Sequence, residues 1–301
     1  MARQAVVSGG TEPRPGLPLD PYLIRIRDLV CRAVGIFQPD NKLYNLETRC
    51  RRRMQAVGAG SLRDYFDYLT AKPGHKAELR ELLNEITVSE TSFFRYPPQL
   101  DALRNVVLPS IVKAKSKFAF SPLRIWSAAC STGEEPYTLA MVLTEELPGV
   151  LKDCGFEILA TDLNDCSLAK AREGIYAPYT LRNVPPSLKQ KYFRACGDQF
   201  QVANELKAKI SFHQLNLCDD SKIAFMKGMD VIFCCNVLIY FNGAASQRTI
   251  QHLYDNLLPN GYLFLGHSES LFGINDDFQL VRFPTATAYC KGCQSTPAGV
   301  Q

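Results

Sequence analysis

Apolar residues between positions 21 and 86 recur every three or four residues, which is the spacing of one face of a helix. One such run consists of Leu62, Tyr65, Phe66 and Leu69. Ser61 and Asp64 resemble the capping box that begins a helix. The pattern predicts an all-α domain over residues 21–86. Residues 1–20 contain Pro and Gly without such periodicity, and we expect them to form a flexible tail.

After residue 86, short β-like runs alternate with helical stretches. We predict strands near 123–127, 156–161, 210–215, 229–235 and 262–266, and helices near 136–146, 165–173 and 247–257. Such alternation is typical of a parallel α/β sheet. Residues 175–208 interrupt it and contain a β-like piece of their own, so we expect an inserted β-subdomain there.

These patterns divide the remaining chain into a linker at residues 87–110, a sheet domain at 111–292 and a C-terminal tail at 293–301. A length of 301 residues, with 46% hydrophobic and 21% charged residues, fits one large and one smaller domain. The apolar stretches are far shorter than the roughly 20 residues that span a bilayer. No apolar secretory segment is visible near the start, and we expect a cytoplasmic protein.

The eleven cysteines show no disulfide framework, and we expect reduced thiols that serve as small apolar residues. Cys290 and Cys293 form one CxxC pair. Neither a second pair nor a histidine partner accompanies it, and we expect no metal site.

The net charge of +4 is concentrated in residues 21–86, which hold twelve basic and eight acidic residues. Arg49, Arg52 and Arg53 share one helix face within this segment. Two interpretations stay open, a solvated surface and a docking face for an acidic partner. No aromatic residues are interleaved with these arginines for base stacking, which disfavours nucleic acid.

The turn after the first predicted strand contains one glycine, Gly133, followed by Glu134 and Glu135. A dinucleotide pyrophosphate needs several glycines and no acidic residues at this place, so NAD and FAD are disfavoured. A cationic nucleoside such as S-adenosylmethionine (SAM) suits the turn better. The alternative needs no ligand, because Thr132 and Glu135 have the spacing of a capping box.

Polar residues follow three further predicted strands. Asp162 ends the second strand, where an acidic side chain can accept hydrogen bonds from both ribose hydroxyls. Asn216 and Asn236 belong to the same edge of the sheet. An Asp at a strand end is also a common turn residue, but together the three residues predict a nucleoside pocket.

Five motifs, in this order along the chain, resemble those of a known protein family. They are TVSETSFFR at 87–95, IWSAACSTGEEPYTLA at 125–140, ATDLN at 160–164, FCCNVLIYF at 233–241 and GHSES at 266–270. Over residues 21–289 the chain resembles the CheR family, the chemotaxis receptor glutamate methyltransferases. The resemblance implies a Rossmann-like SAM-dependent methyltransferase sheet, an N-terminal all-α domain and a small inserted β-subdomain. It also implies methyl transfer from SAM to receptor glutamate carboxylates, with S-adenosylhomocysteine as the second product.

The resemblance also implies roles for individual residues. The expected SAM-binding residues are Ser89, Thr91, Arg95, Glu135, Asp162, Asn216, Leu217, Cys235 and Asn236. Arg95 and Tyr240 are expected nearest the methyl transfer, and Arg49, Arg52 and Arg53 are expected to dock the acidic helical region of methyl-accepting chemotaxis receptors. We expect a monomer that neither binds nucleic acid nor inserts into a membrane.

Two positions depart from the family pattern. Ser89 stands where the family commonly has Asn, and Cys235 stands where it commonly has Arg, so a charge is missing there. The loop 194–201 is also short and has one glycine, whereas family members that tether to a receptor pentapeptide carry a longer loop. Two other functions stay open: a methyltransferase with another substrate, and a non-catalytic module that binds SAM or receptors.

Overall fold

The computed structural model describes residues 19–115, 121–152, 154–223 and 226–293. The two expected tails lie outside these residues except at positions 19, 20 and 293. The chain divides into two compact units. Of the described residues, those within 19–29 and 38–86 form the helical unit, and those within 30–37 and 87–293 form the sheet unit.

The helices are α1 (Pro21–Val34), α2 (Leu43–Val57), α3 (Leu62–Ala71), α4 (His75–Ile86), α5 (Pro97–Ala102), α6 (Leu108–Lys115), α7 (Glu134–Glu146), α8 (Asp165–Glu173), α9 (Pro186–Tyr192), α10 (Asn204–Lys207), α11 (Asp220–Ile223) and α12 (Gly243–Asn256). The strands are β1 (Leu123–Ala128), β2 (Phe156–Asp162), β3 (Ile175–Tyr176), β4 (Phe193–Cys196), β5 (Gln199–Val202), β6 (Ile210–Gln214), β7 (Met229–Cys234), β8 (Leu257–Leu265), β9 (Phe278–Arg282) and β10 (Thr287–Lys291).

The helical unit confirms the all-α prediction, since α2, α3 and α4 lie wholly within it. Each of these helices buries the face that the apolar spacing indicates, as Leu46 of α2 and Leu69 of α3 show. The Ser61 hydroxyl accepts a 3.1 Å hydrogen bond from the Asp64 amide and so caps α3. Capping satisfies an amide that would otherwise lack a partner in the first turn.

The main sheet has the strand order β6-β2-β1-β7-β8-β10-β9. Strands β6, β2, β1, β7 and β8 are parallel, whereas β10 runs antiparallel to both β8 and β9. The predicted parallel α/β sheet and its five strands are therefore confirmed. The pattern missed β9 and β10, because these short strands at one end of the sheet lack a continuous buried run.

The centre of the sheet lies at β1 and β7, where almost every residue is buried. Trp126 is fully buried in β1, and its indole N–H donates a 2.9 Å hydrogen bond to the Thr161 hydroxyl. Strand β1 pairs with β2 on one side and β7 on the other. In such sheets ligands bind outside the carboxyl ends of the strands, where the order of the strands reverses. This topology places the candidate site after β1, β2 and β7.

The insert forms its own antiparallel sheet in the order β3-β5-β4, which confirms the β-subdomain. Phe93 of the linker is fully buried against it, with ring centroids 4.9 Å from Tyr176 and 5.4 Å from Phe193. Gly197, at a φ of 61°, turns β4 tightly into β5.

One expectation about the cysteines was wrong. Cys290 and Cys293 form a disulfide, with their Cα atoms 5.9 Å apart, a separation that the CxxC turn permits. The other nine cysteines, all in the described part of the chain, form no disulfide there. None of the described helices is long and apolar enough to cross a bilayer.

Candidate active site

The turn after β1 is bent by three residues with left-handed backbone conformations. Ala129 and Ser131 have φ values of 62° and 50°, and Gly133 has 96°. A Cβ atom at Gly133 would lie 2.8 Å from the Cβ of Ala171, so only glycine fits there. Left-handed non-glycine residues cost free energy and occur most often at functional sites.

Asp162 holds this turn from the end of β2. Its Oδ2 accepts a 2.8 Å hydrogen bond from the Ser131 amide, and its Oδ1 accepts one of the same length from the Asn164 amide. A carboxylate offers about four acceptor sites, so these backbone bonds leave acceptor capacity for another donor. Burial raises the pKa of Asp162 above its ordinary value.

The hydroxyl of Ser131 is buried and has no hydrogen-bond partner among the described residues. Buried polar groups in folded proteins are nearly always paired. An unpaired hydroxyl in this turn therefore indicates a place where a ligand or a water molecule completes the site.

Glu135, in the first turn of α7, is the second carboxylate of the site. Its Oε1 accepts a 2.6 Å hydrogen bond from the Ser127 hydroxyl. Burial raises its pKa to about 7, although hydrogen bonds from Ser127 and Cys235 and the charge of Arg95 oppose the rise. A carboxylate that burial disfavours in this way gains stability from a bound cation.

The capping-box alternative for this turn is wrong. The Thr132 hydroxyl donates a 2.7 Å hydrogen bond to the Glu134 carboxylate, and Gly133 occupies the N-cap position without a side-chain cap. The Glu135 carboxylate does not cap α7; it accepts a hydrogen bond from the Ser127 hydroxyl instead.

The linker is fastened to the start of α8. The Asn164 side-chain amide donates a 2.6 Å hydrogen bond to the Thr87 hydroxyl, and the Ser89 and Ser167 hydroxyls are 3.0 Å apart. Ser89 thus contacts a helix that begins just after Asp162. Thr91 follows in the same segment and is half-buried.

Arg95 lies at the end of this linker segment. Its guanidinium donates a 3.0 Å hydrogen bond to the Glu90 carbonyl and lies 5.5 Å from the ring centre of Tyr96. Tyr240 is half-buried; burial raises its pKa, the Glu90 carboxylate adds to the rise and Arg95 opposes it. Arg95 therefore acts electrostatically on both Glu135 and Tyr240.

Cys235 and Asn236 follow β7. The Cys235 sulfur is 3.8 Å from the Gln99 side-chain oxygen, and burial raises the thiol pKa well above its ordinary value. The thiol is consequently neutral, and it provides no positive charge to Glu135. Asn236 has a φ of 61°, and its Oδ1 accepts a 2.6 Å hydrogen bond from the Tyr96 hydroxyl.

Asn216 and Leu217 follow β6. The preceding residue, Leu215, donates a backbone hydrogen bond to the Asp162 carbonyl, so this segment begins next to Asp162. The Asn216 amide group donates a 2.8 Å hydrogen bond to the Ala33 carbonyl, and its Oδ1 accepts one from the Cys218 amide. Leu217 is buried. Both residues lie at the expected edge, but the Asn216 side chain is already bonded to backbone.

The three expected docking arginines lie in the helical unit, which itself supplies acidic partners for them. Arg53 makes hydrogen bonds of 3.0 and 2.7 Å to the buried Glu78 carboxylate. Arg49 donates to the Glu85 carbonyl, and Arg52 lies 3.7 Å from the Glu85 carboxylate with 67% of its side chain exposed. Arg53 therefore presents less free charge than Arg52, because its guanidinium is bonded to Glu78 on α4, and the shared docking face stays a prediction.

Sequence reasoning missed several residues of this site. They are Tyr96, Ser127, Ser131 and Glu269. The sequence signals for them were the motifs: the motif at 125–140 contains Ser127 and Ser131, TVSETSFFR ends beside Tyr96, and GHSES contains Glu269.

The donor set suits a cationic nucleoside. Two buried or half-buried carboxylates, Asp162 and Glu135, flank a turn whose Ser131 hydroxyl is unpaired. Both carboxylates have raised pKa values. Within the described ranges, no cluster of three or more His, Cys, Asp or Glu residues could hold a metal ion.

Comparisons with known proteins cover nearly the whole described chain. The family model for the CheR methyltransferase SAM binding domain matches residues 89–287, and the model for the CheR methyltransferase all-alpha domain matches residues 23–87. Chemotaxis protein methyltransferase 2 of Vibrio cholerae is 37% identical over 273 residues, which cover 90% of this chain and 93% of the relative. Chemotaxis protein methyltransferase of Borreliella burgdorferi is 36% identical over 252 residues, which cover 83% and 88%.

A weaker structural likeness was also found. The SAM-bound structure of magnesium protoporphyrin IX methyltransferase from Synechocystis PCC 6803 is 12% identical, covers 92% of this chain and 97% of that chain, and has a TM-score of 0.34. A TM-score this low adds nothing to the sequence matches.

Proposed function

Because this chain belongs to the CheR methyltransferase family, we propose that it transfers a methyl group from SAM to glutamate side-chain carboxylates of chemoreceptor cytoplasmic domains. The reaction forms glutamate methyl esters in chemotaxis adaptation and leaves S-adenosylhomocysteine. The observation that carries the proposal is the arrangement around β1 and β7, where the Glu135 carboxylate accepts hydrogen bonds from Ser127 and Cys235, burial raises its pKa and the charge of Arg95 opposes the rise.

The residues present fit SAM. Glu135 would hold positive charge of the ligand, Asp162 would accept the ribose hydroxyls, and the unpaired Ser131 hydroxyl would gain a partner. When bound, SAM supplies a methyl group that is activated by the positive sulfur. The missing charge at Cys235 leaves Glu135 dependent on the ligand and on Arg95 for compensation.

The acceptor needs no general base. A glutamate side chain has a reference pKa of about 4.3, so at neutral pH it is already an ionised nucleophile. The protein's part is to orient the carboxylate and exclude water. Arg95 orients one carboxylate oxygen by a charge-assisted hydrogen bond and leaves the other free to attack. Tyr240 shapes the same region with a hydroxyl whose raised pKa keeps it protonated.

The helical unit is proposed to dock the acidic receptor helices. Its basic excess supports this assignment, and Arg52 is the expected docking arginine with the most clearly exposed charge. We place the protein in the cytoplasm as a monomer, where the receptor's cytoplasmic region is accessible to it.

Recognition is proposed not to depend on a receptor pentapeptide. Gly197 and Asp198 form the whole connection between β4 and β5, so the hairpin has no long loop. The expected outcome is that a receptor lacking its last five residues keeps its KM. A large rise in KM after this truncation, or calorimetric binding of the free pentapeptide, would contradict the proposal.

The function is tested by transfer of a labelled methyl group from SAM to receptor-containing membranes, followed by mild alkali. We expect label that alkali releases as methanol, which identifies a carboxyl methyl ester. Asp162→Ala serves as the control, because it should bind little SAM and transfer no label.

Other outcomes point elsewhere. Alkali-stable label would indicate nitrogen methylation and another class of substrate. No label from a protein that binds SAM, in the presence of a competent receptor, would favour a non-catalytic module, the candidate that the neutral Cys235 thiol supports.

A further inference from the structure

The carboxylate of Glu269 accepts hydrogen bonds from four backbone amides. Its Oε2 bonds the amides of Asn236 and Gly266 at 2.7 and 2.8 Å, and its Oε1 bonds those of Val237 and Leu238, both at 2.8 Å. Three of these amides belong to the loop after β7. A carboxylate with this many backbone donors is held in one orientation by charge-assisted bonds.

Hydrogen bonds and close packing from other segments hold the two ends of the loop that Glu269 contacts. Asn236 has a left-handed backbone, with a φ of 61°. Gly266 is packed so closely that a Cβ atom there would lie 2.8 Å from the Glu269 carboxylate and 2.9 Å from the Asn236 amide. At the other end of the loop, the Tyr240 carbonyl accepts a 2.9 Å hydrogen bond from the Phe37 amide. Bonds from outside the loop therefore fix its two ends, while the turn between them is closed by its own backbone bonds, from the Tyr240 amide to the Val237 carbonyl and from the Phe241 amide to the Leu238 carbonyl.

This loop bears the residues assigned to SAM and to methyl transfer. Asn236 contacts Tyr96, the neighbour of Arg95, and Tyr240 lies four residues further along. Burial is the main cause of the raised pKa of Tyr240, and the Glu269 charge adds to it.

We propose that Glu269 is a positioning residue for methyl transfer, which fixes the backbone of residues 236–238 and through it the places of Asn236 and Tyr240. The inference rests on the proposed function. Glu269 does not contact the reacting atoms; it acts by setting the loop. A shift of about 1 Å in such a loop can lower turnover about 100-fold.

Glu269→Gln is the most informative variant, because it changes almost no volume. It replaces one carboxylate oxygen by an amide group whose hydrogens would meet the amide hydrogens of the loop, and two acceptor bonds are lost. Glu269→Asp keeps the charge but shortens the reach. Ser270→Ala is the control, since the Ser270 hydroxyl accepts from the Phe272 amide instead of the loop after β7.

The experiment combines three measurements on each full-length variant: calorimetric SAM binding with its stoichiometry, hydrogen exchange, and kinetics with receptor membranes. For Glu269→Gln we expect faster exchange at the amides of residues 236–238 and 266, and a roughly tenfold weaker SAM affinity. Per SAM-binding site, kcat should fall about 100-fold while the receptor KM changes less than about twofold. Glu269→Asp should lie between, and Ser270→Ala should match the wild type.

A structural role alone would give another result. It would lower the stoichiometry of SAM binding and the melting temperature, but kcat per binding site would stay within about twofold of the wild type, and this would overturn the proposal. If Glu269→Gln fails to fold, the same three measurements on Glu269→Asp test the proposal by the same criteria. If the wild type transfers no methyl group, the proposed function fails. In that case, unchanged exchange and SAM affinity in the variants would still overturn positioning of the loop by Glu269, whereas faster exchange and weaker SAM affinity would support it.

Discussion

The Tyr96 hydroxyl donates a 2.6 Å hydrogen bond to the side-chain oxygen of Asn236, a residue that lies 140 positions later in the sequence. This bond joins the linker to the loop after β7. It ties the neighbour of Arg95 to the loop of Tyr240, so one bond joins the two segments that carry the residues expected nearest the methyl transfer. Burial raises the pKa of Tyr96, and its hydroxyl therefore stays a donor at neutral pH.

Tyr96→Phe should lower turnover. Removal of the hydroxyl loses one hydrogen bond of about 1 kcal/mol, which corresponds to roughly a fivefold fall in kcat/KM for the receptor. Steady-state kinetics at fixed ionic strength will measure this fall in kcat/KM. Tyr179→Phe is the control, because Tyr179 is 74% exposed on the insert. Equal rates for Tyr96→Phe and the wild type would show that the bond does not position the site.

Arg95→Ala should lose most turnover. The guanidinium is proposed to bond the acceptor carboxylate, and hydrogen bonds to charged groups are worth roughly 1.5–3 kcal/mol, so kcat should fall at least about tenfold. Arg95→Lys should recover only part of the activity, because an ammonium lacks the planar pair of donors.

The matched control for Arg95 is Arg182→Ala. Arg182 also lies over a neighbouring tyrosine ring, at 4.2 Å from Tyr179, but it belongs to the insert. Near-normal turnover of Arg95→Ala, with Arg182→Ala also normal, would exclude the proposed role of Arg95.

Glu135 should make SAM binding depend on pH. Burial raises its pKa to about 7, and a cationic ligand favours the ionised form. At pH 6 most of the carboxyl groups are protonated, so the affinity should be about tenfold weaker than at pH 8. Glu135→Gln should bind SAM weakly and lose this dependence. Calorimetry at each pH should be done with both the wild type and Glu135→Gln. The ligand's own amino group, whose pKa is about 8, affects both proteins alike, so its contribution cancels in the comparison.

The same group should affect the stability of the ligand-free protein. Since its pKa in the folded state lies above the ordinary 4.5, the folded state binds the proton more tightly than the unfolded state. Its contribution to stability is therefore fully present below about pH 4.5 and is lost as the pH rises to about 7. Urea unfolding at several pH values should show this decline in the wild type and a smaller one in Glu135→Gln.

Arg52 and Arg53 should behave differently although they are adjacent. Arg53→Ala leaves the buried Glu78 carboxylate without its ionic partner but keeps the 2.7 Å hydrogen bond from Tyr65, and should destabilise the protein by about 3 kcal/mol. Arg52→Ala removes an exposed charge and should leave the melting temperature unchanged. Thermal unfolding of the two variants distinguishes these cases.

Arg52 should instead affect receptor docking. Arg52→Glu should raise the receptor KM at low salt, and the difference from the wild type should shrink as salt screens the charges. A KM that is insensitive to both salt and this substitution would argue against electrostatic docking by the helical unit.

Much of the fold and part of the site follow from local pattern. Period-3.6 spacing identifies the helical unit, and alternating short apolar runs identify the parallel sheet. Asp162 and Glu135 could be selected because the carboxyl ends of parallel strands meet at one edge of the sheet. The short end strands β9 and β10 were not selected, because their stability depends on pairing that sequence periodicity does not encode.

The sequence by itself determined which residues share a face and which residues follow a strand, and with its motifs it determined the family. Only the tertiary structure decided the partners: Glu78 for Arg53, Asn236 for Tyr96, and four backbone amides for Glu269. The physical reason is that local spacing fixes the direction of a side chain along its own element. A hydrogen bond between distant segments depends on where whole elements and their connecting turns are placed by packing.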